Sequence, residues 1–153
     1  MTIDTDNLVD DFVHNTKAIF DGSMSTFGLK EIYDEDILLI PTVPSLAISC
    51  LSFWNELKTI SSSNVRYEFT FIGDIWYYHS AVTEDIKRNL IMRNAYRIAK
   101  HIMEHASLNG WLTNTRALVR SCSYTPRLRS GVMLASARMI IAAPYQIRIS
   151  TIT

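Results

Sequence analysis

Four histidines and two cysteines carry what reactive chemistry this sequence offers near neutral pH: His14, His79, His101, His105, Cys50 and Cys122. His101 and His105 have the i, i+4 spacing that sets two imidazoles on one helical face, where they could hold a metal ion. The Glu that follows the first His in a metalloprotease helix is missing, and no third ligand has an obvious place. Two surface or partly packed histidines fit that pattern better than a metal site. A thiol with His79 as its base would make a nucleophile. Neither Cys50 nor Cys122, however, lies in a stretch resembling a nucleophile elbow or a thiol-protease signature. Both sit in apolar, strand-like sequence and are too few and too far apart for a zinc cluster or a disulfide framework, which predicts buried free thiols.

Phosphate chemistry has equally little to stand on. The five glycines, at positions 22, 28, 73, 110 and 131, are scattered and form no phosphate-cradling loop. Arg127 and Arg129 in "YTPRLRS" could meet nucleic-acid phosphates, but loop arginines are as common at protein interfaces. The expectation is a protein with no catalytic residues, no cofactor and no metal.

The elements that would position these residues follow from periodicity. Leu8, Val9, Phe12, Val13, Ile19 and Phe20 recur at helical spacing, predicting a helix over about residues 6–20 with Asp4 or Asp6 as N-cap and Gly22 as the stop. A short strand is expected at 29–33, followed by an acidic turn (Asp34, Glu35, Asp36) and an extended, proline-containing approach to a buried strand at 45–53. "WNELKTISSSN" reads as a loop or hairpin tip. Thr83 is a candidate N-cap, with Glu84 and Asp85 in the first turn of a long helix whose apolar face is Ile86, Leu90, Ala95, Ile98, Ile102 and Ala106, ended by Asn109-Gly110. Two more strands are expected at 115–124 and 131–143, joined by "TPRLRS".

The segment "VRYEFTFIGDIWYYHS" alternates, with Val65, Tyr67, Phe69 and Phe71 on one face and Arg66, Glu68 and Thr70 on the other. Beyond Gly73 the polar face turns aromatic, with Trp76 and Tyr78. Gly73-Asp74 could be a hairpin turn splitting two strands or a bulge in one long strand, and the long strand is the preferred reading. The element order predicts a single α+β domain over 1–153: a mixed or antiparallel β-sheet with two helices packed on one face. Trp76 and Tyr78 would then be bare in an isolated subunit and covered by a partner.

With 153 residues, 48% hydrophobic content and 20% charged content, the chain is that of one ordinary folded domain. Its acidic opening lacks the layout of a secretory signal, which predicts a cytoplasmic origin. The charge-free run from Ile37 to Asn55 is broken by Pro41 and Pro44 and reads as no membrane span.

The zero net charge hides a division: four basic residues against fourteen acidic ones through Asp85, then eleven basic residues against Glu104 alone. Two readings are open. The halves neutralise each other inside one subunit, or opposite surfaces of identical subunits meet. For the second, the acidic candidates are Asp34, Glu35 and Asp36, and the basic ones Arg93, Arg97, Lys100, Arg127 and Arg129.

The layout as a whole resembles the tail terminator and neck (head–tail joining) proteins of tailed bacteriophages. The resemblance is carried by an N-terminal helix, "FGLKEIYDEDILLIPTVPSLAIS", the strand "YEFTFIGDIWYYHSA", the helix "RNLIMRNAYRIAKHIMEHASLNGWL" and "SYTPRLRSGVMLASARMIIAA". It implies a structural virion protein, made in the host cytoplasm, that forms a ring of typically six subunits, caps the tail tube and joins it to the head connector. Its implied partners are further copies of itself, the tail tube protein and a head connector or neck protein, with DNA passing through the ring, no specific nucleic-acid site and no membrane. Another neck component (a connector or head completion protein) is the alternative, ahead of a DNA-binding accessory protein or a small enzyme.

Overall fold

The computed structural model describes residues 7–39, 42–60, 64–83 and 88–150. Helix α1 (Leu8–Ala18) buries Leu8, Phe12, Val13 and Thr16, and its Asp10, Asp11 and Lys17 sit at the ends where the helix dipole favours them. Asn7 occupies the N-cap position; the expected caps Asp4 and Asp6 lie outside the described residues. After a 3-10 turn (Met24–Phe27) come β1 (Glu31–Tyr33), β2 (Ser45–Ile60), β3 (Asn64–Ala81), α2 (Arg88–Glu104), β4 (Leu118–Tyr124), β5 (Arg127–Arg129) and β6 (Val132–Ser150). Thr83's expected first turn, including Glu84, Asp85 and Ile86, falls outside the described residues.

The fold is α+β, with one mixed sheet in the order β1-β2-β3-β6-β4. Among the described residues only β1 and β2 are parallel, and β5 pairs with the start of β6. Both helices lie on one face, α1 against β2 and β3, α2 against β4 and β6. In α2 the buried stripe is Ile91, Ala95, Ile98, Ala99 and Ile102; Leu90, expected inside, is more than a third exposed because Ile91 takes the inward position four residues before Ala95.

Strand β3 runs through Gly73-Asp74 without a turn, as the preferred reading had it. Two elements exceed their expected lengths and one is new. β2 continues through "WNELKTI", its ladder to β3 running on past two register shifts, at Cys50/Ser52 and Leu57/Thr59; cross-strand pairing there overrides the polar composition. β6 continues through Pro144, because β4 pairs β6 only as far as Ala142. Beyond that point β6 is an edge strand, and the missing N–H breaks no ladder on β4's side. "TPRLRS", expected as a plain connection, contains β5 and a two-residue hairpin turn, Ser130-Gly131, with φ of 54° and 72°.

Candidate functional site

The sheet's second face carries a small core of its own. Ala47, Trp76, Tyr78 and Leu134 pack together, and Tyr33 at the end of β1 and Ile37 and Val43 from the segment between β1 and β2 close over them. Trp76 is 4% and Tyr78 0% exposed, so the expectation that they stand bare for a partner is corrected: the chain covers them itself. The stretch read as an extended approach to β2 is the lid, and no periodicity marks such a lid in sequence.

Charge fastens the lid. The Asp36 carboxylate accepts hydrogen bonds from Tyr78 Oη at 2.9 Å, Arg129 Nη2 at 2.9 Å and Arg127 Nη1 at 2.5 Å. The Arg127 guanidinium lies 4.0 Å from the centroid of the Trp76 ring, which stacks on Tyr78. Beside them Asp74 takes a two-point contact from Arg138, at 2.7 and 3.1 Å. Asp36, Arg127 and Arg129 were candidates for contacts between subunits; they pair within one chain because the β5–β6 hairpin folds its arginines back over the lid. These pairs also settle part of the charge division in favour of internal neutralisation, since Asp36 and Asp74 belong to the acidic half and Arg127, Arg129 and Arg138 to the basic one.

The same network holds the Tyr78 phenol up to about 12, through burial first and then the hydrogen bond to Asp36. Burial also pushes Tyr77 up. A folded value above the unfolded one gives stability that is complete below about pH 10 and lost as pH rises through the folded value. Ultraviolet titration of the native protein is expected to show Tyr78 ionising only near pH 12, together with loss of native circular dichroism. Normal ionisation of all seven tyrosines near pH 10 in folded protein would contradict the lid.

The remaining candidates separate cleanly. Asp34, Glu35, Arg93, Arg97 and Lys100 are exposed. Arg97 reaches back to the Thr26 carbonyl and lies over Phe27, while Lys100 pairs with Glu104 one helical turn on. Asp34, Glu35 and Arg93 have no ion-pair partner among the described residues. His101 Nε2 is 2.6 Å from the Ile19 carbonyl and His105 Nδ1 is 2.9 Å from the His101 carbonyl, which commits one nitrogen of each ring to backbone. Burial raises both thiols and lowers His79. Cys50 pairs with Gly73, six residues along β3 from His79, or roughly 20 Å at strand rise. Among the described residues no three His, Cys, Asp or Glu side chains gather as a metal site, and no helix is long and apolar enough to cross a membrane.

Two surfaces escaped the sequence reading. Where β2 and β3 run past the helices, Leu51, Phe53, Trp54 and Leu57 are each between 41% and 55% exposed. The sheet also sorts charge by edge. Asp10, Asp11, Asp21, Glu31, Asp34 and Glu35 outnumber Lys17 and Lys30 on α1, β1 and their connections at one side, and Arg88, Arg93, Arg97, Lys100, Arg116 and Arg120 outnumber Glu104 on α2, β4 and their connection at the other. No protein-family model matches this chain, and no curated protein matches it.

Proposed function

We propose that this chain is a structural virion protein of a tailed bacteriophage, a tail terminator whose ring of typically six copies caps the tail tube and joins it to the head connector. One observation of the molecule carries the assembly role: the apolar arm of β2, with Leu51, Phe53, Trp54 and Leu57 about half exposed at the open edge of a three-stranded extension that β2 forms with β3 and β6. An isolated subunit rarely leaves large apolar side chains in water on both faces of one strand, with Phe53 and Leu57 on the helix side and Trp54 on the other, and strand extensions are natural contacts between subunits. The phage assignment comes from the resemblance in element order and apolar pattern, which runs over most of the chain.

On this reading the partners are further copies of the chain, the tail tube protein and a head connector or neck protein, with DNA in the ring's channel. Electron microscopy of the purified chain, alone and mixed with tubes of the tail tube protein, tests it. Rings that seat on tube ends are expected. Rings that bind the head connector but ignore tubes would move the chain to another neck position, and a chain that stays monomeric with both partners would refute the assignment.

A further inference from the structure

Strands β2 and β4 bound the sheet with edges that the fold leaves open. Among the described residues, β1 covers β2 only at Ser45–Ala47, so from Ile48 onward β2 is paired on one side alone, and β4 has β6 alone beside it. β2 is antiparallel to β3, β3 to β6, and β6 to β4, so β2 and β4 run in opposite directions. Set side by side by rotation about an axis along the strands, they meet antiparallel, the pairing that strands of different copies make most readily.

The register shows what would meet at equal height. One row crosses the whole sheet: Ile32, Leu46, Tyr77, Ala137, Tyr124. Another runs Ser52, Ile72, Ala142, Leu118. In a copy displaced by one sheet width, the Tyr124 end of β4 faces β1 and the Leu118 end faces β2 near Ser52. Charge matches in the first row. Arg88 lies 5.2 Å over the Tyr124 ring, with Arg93 further along α2, while Glu31 precedes and Asp34 and Glu35 follow Ile32 on β1 and its turn. Apolar surface matches in the second, since Leu118 is 54% exposed and Trp54, two residues past Ser52, is 41% exposed. Cross-strand partners place both on the face away from the helices, because Trp54 pairs with Thr70 and Leu118 with Ala142.

We infer that the basic α2/β4 edge of one copy docks on the acidic β1/β2 edge of a second copy, head to tail, with Arg88 and Arg93 facing Asp34 and Glu35 and Leu118 facing Trp54. This rests on the ring reading above and assigns its subunit contact. Each copy uses two different edges, so the contact repeats around a ring. Exposed charges are screened within about 8 Å at physiological salt, so the apolar row holds the contact and the charged row sets its direction.

Complementary reversals test it. A chain with Asp34→Lys and Glu35→Lys and another with Arg88→Glu and Arg93→Glu are each expected to need on the order of tenfold more protein to self-associate at low salt, by mass photometry. Both should keep the parent's circular dichroism, since none of the four residues is buried. Mixed in equal amounts, they should recover assembly, because every contact in an alternating ring then joins opposite charges. Parental assembly by either reversed chain, or failure of the mixture to recover, overturns the edge assignment while leaving the ring. A parent that stays monomeric at every salt concentration overturns the ring reading itself. Loss of DNA binding with unchanged self-association in the Arg88/Arg93 variant would reassign the basic edge to nucleic acid and overturn the contact.

Discussion

Replacing Asp36 by Ala is expected to destabilise the fold by roughly 3–5 kcal/mol, because it strands the Arg129 guanidinium, 8% exposed at its side chain, with its charge buried and unpaired. The Tyr78 phenol loses its acceptor at the same time, and the lid loses its fastening to the β5–β6 hairpin. Urea unfolding followed by circular dichroism measures the loss, which corresponds to a fall of about 10 °C in Tm for a domain of this size. Adding Arg129→Met to Asp36→Ala should return much of the stability, since an apolar side chain of similar volume removes the stranded charge. A single Asp36→Ala variant within about 1 kcal/mol of the parent would mean that the cluster behaves as an exposed pair and does not hold the lid.

The same geometry reverses an expectation about Tyr78. Exchanging it for Asp on a bare face would block assembly and spare the subunit. In the structure the new carboxylate would sit in the second core beside Asp36, so the fold itself is expected to fail. Reversing Asp34, Glu35 and Asp36 together would likewise confound two effects, because the first two are surface charges and the third is a structural one.

Much of the fold was legible because it depends on local pattern. The Leu8, Phe12 and Val13 stripe of α1, the Ala95, Ile98 and Ile102 stripe of α2 and the alternation of β3 each follow from which face is wet, although Val9, expected in the first stripe, is 39% exposed. The lid was not legible, because its closing contacts join residues 42 to 93 positions apart, and an acidic turn looks the same whether it meets water or two arginines from the far end of the chain. The charge division was plain as a count. Its sorting to opposite sheet edges became visible only through strand order, since chain order would place β6 at the edge where β4 sits. Among the candidate contact residues, sequence could not separate Asp34 and Glu35 from Asp36, or Arg93 from Arg127 and Arg129, for the same reason.

Gly73 decides whether β3 is one strand, and the second large effect is expected there. A Cβ at this position would lie 2.7 Å from Ile141 Cγ1 and 2.8 Å from Phe12 Cζ, closer than carbon atoms pack. β3 therefore needs glycine where α1 presses its Phe12 ring, fully buried and stacked on Phe71 at 5.8 Å, onto the strand. A turn would have required glycine for its backbone angles; here it is required for space. Gly73→Ala is expected to destabilise by about 1–3 kcal/mol, although Ala is the better strand residue by roughly 0.5–1 kcal/mol, because neither neighbour can withdraw without opening the core. Phe12→Leu opens a cavity and destabilises by itself, yet it removes the ring that the new methyl meets. The double variant should therefore be more stable than the sum of the two single effects by on the order of 1 kcal/mol, a coupling that urea unfolding of all four chains measures directly. Strict additivity would mean that Phe12 does not press on Gly73, and a Gly73→Ala variant as stable as the parent would mean that α1 sits further from β3 than these distances place it.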